Sequence, residues 1–228
     1  MTTDDVAGRL VEMIRATAPD AEAEVTVEAS EVALTRFANS MIHQNVADET
    51  GTVRIRLHAD GRTVTSSSTL MSSDALAELV ARTVSSVRLA PLDPKWPGLA
   101  PAAPSLGTGT VDAAVANASP AERAERVRAF VDAAGGLNTA GYCQTRHLSA
   151  SFANSAGQHI SGATADVSFS GIARTPSSDG MARLASSRLA DIDGAILGAR
   201  AAAKARAGVD PVELPPGRYE VVLEPAAV

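Results

Sequence analysis

The sequence predicts an α+β fold, with mostly antiparallel sheets bracketed by helices in two subdomains joined by a proline-rich linker. Three observations lead there. Strand-like alternation is gathered into two long stretches instead of being interleaved with helices, which argues against repeated βαβ units. Helical apolar stripes flank each stretch. Between them, Pro91, Pro94, Pro97, Pro101 and Pro104 supply five of the twelve prolines. Proline fixes φ and removes an N–H donor, so 91–104 reads as an extended linker or a strap over the surface.

In chain order, Val6, Leu10, Met13, Ile14 and Thr17 recur at helical spacing. Thr2 or Thr3 can cap that helix, Asp4 and Asp5 suit the positive end of its dipole, and Pro19-Asp20 closes it. Val25 and Val27, then Val32 and Leu34, alternate with polar residues. Val53, Ile55, Leu57 and Ala59 alternate with Arg54, Arg56, His58 and Asp60, giving a strand with one wet face. Asp60-Gly61 signals a hairpin into a strand over 62–69. A turn is expected over 48–51, after a strand holding Ile42 and Val46. A helix from Ser73 carries Leu76, Leu79, Val80, Val84 and Val87 on one face.

After the linker, Ser119-Pro120-Ala121-Glu122 is a capping box with proline at the first helical position. Ala124, Val127, Phe130, Val131 and Ala134 follow, and Gly135-Gly136 ends the helix. Leu148, Ala150 and Phe152, then Val167 and Phe169, mark a second β-rich stretch with a turn over 154–157. Asp191 is expected to cap a last helix through Ile192, Ala195, Ile196, Ala199 and Ala203, stopped by Gly208. Tyr219, Val221 and Leu223 then alternate with Glu220, Val222 and Glu224 in a final strand. The expected divisions are 1–90, the linker 91–111, a middle subdomain 112–210, and 211–228 as the first strand of a further domain. The halves share a coarse pattern, and no repeat of their sequence is read.

Composition narrows the function. Apolar residues make up 45%, aromatics 3% and charged residues 20% of 228 residues, which is globular and not disordered or membrane-spanning. The acidic, polar start lacks the features of a secretory signal. One cysteine, Cys143, excludes an internal disulfide framework and fits a reducing cytoplasm. The formal net charge is −6 and the only lysines are Lys95 and Lys204. The densest basic stretch, Arg123, Arg126 and Arg128, is interrupted by Glu122 and Glu125 and reads as a solvated helix face with internal ion pairs. Direct nucleic-acid binding is disfavoured.

The motif search finds no His-Glu-x-x-His, no Cys-x-x-Cys, no Gly-x-Ser-x-Gly and no Walker loop. Gly107-Thr108-Gly109-Thr110 reads as a flexible connector. Cys143 and His147 would share a proton or a metal only on a helix; on a strand, four residues separate them by about 13 Å. Cys143 is therefore expected in the core and His147 on a polar face. His43 and His58 could approach across a sheet. His159 is isolated, and Asp191/Asp193 and Glu22/Glu24 read as a cap and a wet strand face. No catalytic residue and no metal ligand are assigned, and the substrate-binding residues are left open.

Thr35-Arg36-Phe37-Ala38-Asn39-Ser40-Met41-Ile42-His43-Gln44-Asn45-Val46 resembles the early strand pair of the TldD/PmbA family. Gly61-Arg62 and Ser66-Ser67-Ser68-Thr69 fit the hairpin that follows there. Gly141-Tyr142-Cys143-Gln144-Thr145-Arg146-His147 resembles the family's middle region, closest to the PmbA (TldE) branch. Tyr219-Glu220-Val221-Val222-Leu223-Glu224-Pro225 resembles the strand opening its C-terminal domain. The resemblance implies cytoplasmic metallopeptidases, also labelled modulators of DNA gyrase, that act as a TldD–TldE pair on unfolded or modified peptides. It implies zinc only in the second half of TldD-type members, on a His-Glu-x-x-x-His helix that none of the four histidines here matches.

The expectation is thus the N-terminal scaffold and peptide-cavity half of such a peptidase, inactive by itself, with a homologous subunit and a peptide as partners. Two other readings stand beside it: a stand-alone, non-catalytic peptide- or protein-binding module, and a thiol enzyme using Cys143.

Overall fold

The computed structural model describes residues 2–105, 107, 111–224 and 227. Its elements are α1 (Thr3–Thr17), β1 (Glu22–Ala38), β2 (Met41–Ala59), β3 (Arg62–Ser68), α2 (Ser73–Val87), α3 (Ala113–Ala116), α4 (Pro120–Ala133), β4 (Asn138–Asn154), β5 (His159–Arg174), β6 (Asp179–Ser186), a 3-10 turn (Leu189–Asp191) and α5 (Gly194–Ala207). The strands form one six-stranded antiparallel sheet in the order β3-β2-β1-β4-β5-β6. The α+β class is as the alternation predicts.

Local chemistry accounts for the element ends. Thr2 caps α1 and Ser119 caps α4, each in a reciprocal box with Asp5 or Glu122. The Thr2 amide and hydroxyl hold the Asp5 carboxyl below its ordinary value, and Ser119 does the same for Glu122. Asp60 and Gly61, with φ of 51° and 67°, make the tight β2–β3 turn.

The first hairpin turns elsewhere than at 48–51. Its two-residue loop is Asn39-Ser40, with φ of 50° and 60°, and β2 runs straight through 48–51. Gly51 serves packing there: an added Cβ would lie 2.5 Å from the Met71 methyl carbon. Likewise Asp193, not Asp191, caps α5 through the Ile196 amide. Asp191 instead accepts from Arg188 and Ser186, which hold its carboxyl below the usual range. Residues 211–224 form no strand and are exposed, because no strand of the sheet lies beside them among the described residues. Pro225, Ala226, Val228 and the connector residues Thr108, Gly109 and Thr110 lie outside the described residues.

The chain forms two compact units, Met1–Glu31 with Glu49–Thr110 and His147–Thr164, and Val32–Asp48 with Val111–Arg146 and Ala165–Val228. β1, β2, β4 and β5 are long enough to serve both units, so the proline-rich 91–105 lies inside the first. That unit's core is aliphatic: Val6, Leu10 and Ile14 of α1 and Leu76, Leu79 and Val80 of α2 pack on Val25, Val27, Val53, Ile55 and Leu57. The second unit packs Val127 and Phe130 of α4 and Leu197 and Ala201 of α5 on Phe37, Cys143, Val167 and Phe169. Three phenylalanines, Phe37, Phe130 and Phe169, meet there with ring centroids 5.2–6.1 Å apart.

A repeat is present after all. The order helix-strand-strand-strand-helix occurs twice, as α1–α2 and as α4–α5, each opening on a capping box. The tetrapeptide Phe-Ala-Asn-Ser stands at the end of β1 as 37–40 and at the end of β4 as 152–155. Its two serines make the same bonds. Ser40 Oγ accepts from the Thr139 amide (3.1 Å) while the Ser40 amide donates back to Thr139 O (3.0 Å). Ser155 Oγ accepts from the Ala23 amide (3.0 Å) while the Ser155 amide donates back to Ala23 O (2.9 Å).

Candidate functional site

The side chains that the sequence singles out do not converge. His43 and His58 lie on the same strand, β2, fifteen residues apart, so they cannot face each other across a sheet. Cys143 and His147 are both on β4; the Cys143 thiol is fully buried, and burial pushes it up to about 11. His159 Nε2 pairs with Asp4 (2.9 Å). Among the described residues no three His, Cys, Asp or Glu side chains gather as a metal site.

Arg123 is placed quite differently from a solvated helix face. Its side chain is 2% exposed. Nε donates to Thr35 Oγ1 (3.3 Å), one terminal nitrogen to Ala118 O (2.7 Å) and Thr145 Oγ1 (3.5 Å), and the other to Asn45 Oδ1 (3.4 Å). Burial pulls its pKa below the ordinary arginine value. Arg126 reaches the carbonyls of Glu122 (2.9 Å) and Leu189 (3.2 Å). Helical spacing gave no warning, because Arg123 sits one residue past the capping box, where α1 carries Val6.

A surface with binding character lies in the first unit, on the sheet face turned away from α1 and α2. Val25, Val27, Ser151 and Ala153 point to the helices, so Glu22, Glu24, Thr26, Arg56, His58, Leu148, Ala150 and Phe152 point the other way. The proline-rich segment is tied down across this face. Leu92 bridges Arg62, and the Asp93 amide donates to Gly61 O (2.7 Å). Thr63 Oγ1 donates to Asp93 (2.6 Å) and lies 2.9 Å from His58 Nδ1. That hydrogen bond keeps the Asp93 carboxyl below its ordinary value. The Trp96 ring stacks on His58 at 4.7 Å and 5°, Arg56 sits 4.7 Å from its centroid, and its indole N–H donates to Glu22. Asn154 Nδ2 donates to Ala100 O (3.0 Å), and the Ala103 amide to Gln158 Oε1 (2.5 Å). The segment therefore behaves as a strap.

Beside the strap's end is a groove of about 360 Å³, lined by Leu148, Ala150, Phe152, Thr26, Ser105, Gly107 and residues 160–164. Its wall is mostly apolar, with the hydroxyl-bearing Thr26, Ser105, Ser151, Ser161 and Thr164 among its lining residues. Its border is also unpaired: β6 joins β5 only from Val167 to Arg174, so 159–164 has no strand on its outer side among the described residues. An apolar groove next to a strand border that no described strand covers is what an extended peptide needs: main-chain bonds for affinity and a pocket for alternate side chains. In the sequence, alternation at Leu148, Ala150 and Phe152 was legible. That this face is left without a helix was not.

Residues 23–87 match the family model described as PmbA/TldA metallopeptidase domain 1. No curated protein matches. Among solved structures, the chain is similar to a protein from Thermotoga maritima described as a modulator of a DNA gyrase, with TM-score 0.75 and 15% identity over 95% of this chain and 50% of that one. It is similar to TldE from Thermococcus kodakarensis, with TM-score 0.76 and 18% identity over 88% of this chain and 47% of that one. It is also similar to a protein from Bacteroides thetaiotaomicron described as a modulator of DNA gyrase, with TM-score 0.77 and 16% identity over 92% of this chain and 51% of that one. These likenesses establish the fold, and the chain spans about half the length of the structures it matches. No helix among the described residues is long and apolar enough to cross a membrane.

Proposed function

We propose that this chain, whose residues 23–87 match the model of PmbA/TldA metallopeptidase domain 1, is the peptide-holding scaffold of a TldD/TldE-type peptidase. On this reading the chain grips extended substrate, and the peptide bond is cut by groups this chain does not supply. A homologous TldD/TldE-type subunit is the partner, and unfolded or modified peptide is the substrate.

The observation that carries the reading is the coincidence of the groove at Leu148, Ala150 and Phe152 with the unpaired border of β5. Strand addition satisfies the border's N–H and C=O groups without regard to sequence. An enzyme acting on varied unfolded peptides needs that tolerance. The apolar groove then favours peptides with a hydrophobic residue in every second place.

Titration of the chain with a fluorescein-labelled, amidated peptide of alternating alanine and phenylalanine tests this. We expect saturable binding that Phe152→Asp weakens by about tenfold or more, since a charge buried against the peptide's apolar side chains costs over 1 kcal/mol. Phe152 faces away from the helices, so the variant keeps its melting temperature. Unchanged affinity in Phe152→Asp, or no binding by the parent chain, would sink the proposal.

A further inference from the structure

The second unit has its own concavity, which the peptide reading has not used. It measures about 440 Å³ and is lined by Tyr142, Ser168, Phe169, Ser170, Arg183, Leu184 and Ala185. Cys143, Val167 and Ala182 point to the helices, so Tyr142, Ser168, Ser170 and Arg183 stand on the opposite face of β4, β5 and β6. Arg183 is the register partner of Ser170, so guanidinium and hydroxyl come from directly opposed positions.

Three arginines stand on that face of these strands, and two are neutralised. Arg146 pairs with Asp166 (3.4 Å) and Arg174 with Asp179 (2.6 Å), an arrangement that holds the Asp179 carboxyl below its usual range. Arg183 has no acidic partner and no hydrogen bond among the described residues. The hydroxyls of Tyr142, Ser168 and Ser170 are likewise without a partner there. One cationic fork and three neutral donors therefore converge on one hollow.

We infer that this hollow binds the carboxylate of an extended peptide. The guanidinium offers two parallel N–H groups to the two carboxylate oxygens, and the hydroxyls donate to the remaining lone pairs. Arginine suits this better than lysine because its planar fork matches carboxylate geometry. The inference rests on the peptide-binding reading above and adds a preference for one chemical group. The carboxylate can be the chain terminus or an acidic side chain, which share this chemistry.

Binding of three acetylated hexapeptides to the whole chain decides it: one with a free C-terminus, its amide, and an amide with glutamate in the last place. We expect a peptide bearing a carboxylate to bind about tenfold more tightly than the plain amide, as a charge-assisted bidentate pair predicts. Whichever of the two carboxylate peptides gains identifies the source. Arg183→Gln should erase that gain and leave the plain amide's affinity unchanged. Arg183 is exposed and packs on no core residue, so the variant should melt with the parent. Equal affinities for all three peptides, or a gain that survives Arg183→Gln, would overturn the site while leaving peptide binding intact. Absence of binding by every peptide would overturn both.

Discussion

The two helix-strand-strand-strand-helix repeats start alike and part company at the fourth helical residue. In the first, Val6 follows the capping box into a core made of Leu10, Ile14 and the valines of β1. In the second, Arg123 takes that place among Thr35, Asn45, Thr145 and the Ala118 carbonyl. One backbone plan thus closes in two ways: by hydrocarbon burial in one case, and by a buried cation solvated with neutral dipoles in the other. Burying an arginine without a carboxylate carries a desolvation cost that only full hydrogen bonding offsets. The second solution is the more brittle, because each partner depends on the others.

Substitution at these paired positions should separate the two modes most strongly. Arg123→Ala takes the donor from the buried Thr35 and Thr145 hydroxyls and from the Ala118 carbonyl, and should cost roughly 4 kcal/mol in urea unfolding. Val6→Ala removes two methyl groups and should cost about 2 kcal/mol. Replacing the buried side chains of the network, with Arg123→Met, Thr35→Val and Thr145→Val together, should recover most of the loss, since only the Ala118 carbonyl and the exposed Asn45 amide then lose a protein donor. Equal costs at Val6 and Arg123, or no recovery in the triple variant, would break the contrast.

The repeat also shows what a sequence displays and what it hides. Caps, tight turns and alternating strands are local chemistry, so Thr2, Ser119, Asp60-Gly61 and Val53–Leu57 announced themselves. The Phe-Ala-Asn-Ser tetrapeptide, given twice, was a legible sign of duplication that residue-type periodicity passed over. The pairing of long strands is not local. Whether Arg123 meets water or Thr35 and Asn45 depends on chain 88 and 78 residues away. The groove was hidden for the same reason: Leu148, Ala150 and Phe152 look like any half-buried strand until the neighbouring β6 is seen to end at Ser186, opposite Val167 of β5.

The helices that close the repeats differ as well. α2 seats Leu76, Leu79 and Val80, whereas α5 approaches α4 through Gly194 and Gly198. A Cβ on Gly198 would lie 2.3 Å from Phe130 O, and one on Gly194 2.0 Å from Arg126 O. Elsewhere in a helix, glycine-to-alanine gains about 1 kcal/mol. Gly198→Ala should instead lose about 3 kcal/mol through overpacking against a carbonyl that cannot swing aside. A stabilised Gly198→Ala variant would mean that α4 and α5 are not locked at this distance.

The smallest expected effect concerns the sixth residue of the central strands, Val27 in β1 and Cys143 in β4, both fully buried. Only the thiol can ionise, and burial raises it from 9.0 to about 11. The unfolded chain therefore loses this proton first. The contribution is complete below pH 9.0 and is lost as pH rises toward about 11. Two pKa units set its ceiling at roughly 2–3 kcal/mol. Cys143→Val gives the second repeat the first repeat's residue and should flatten this alkaline limb in urea unfolding, while changing stability little near neutrality. A limb equally steep in the variant would show that other groups cause it. A thiol that reacts with iodoacetamide in the native state would contradict the burial on which the shift depends.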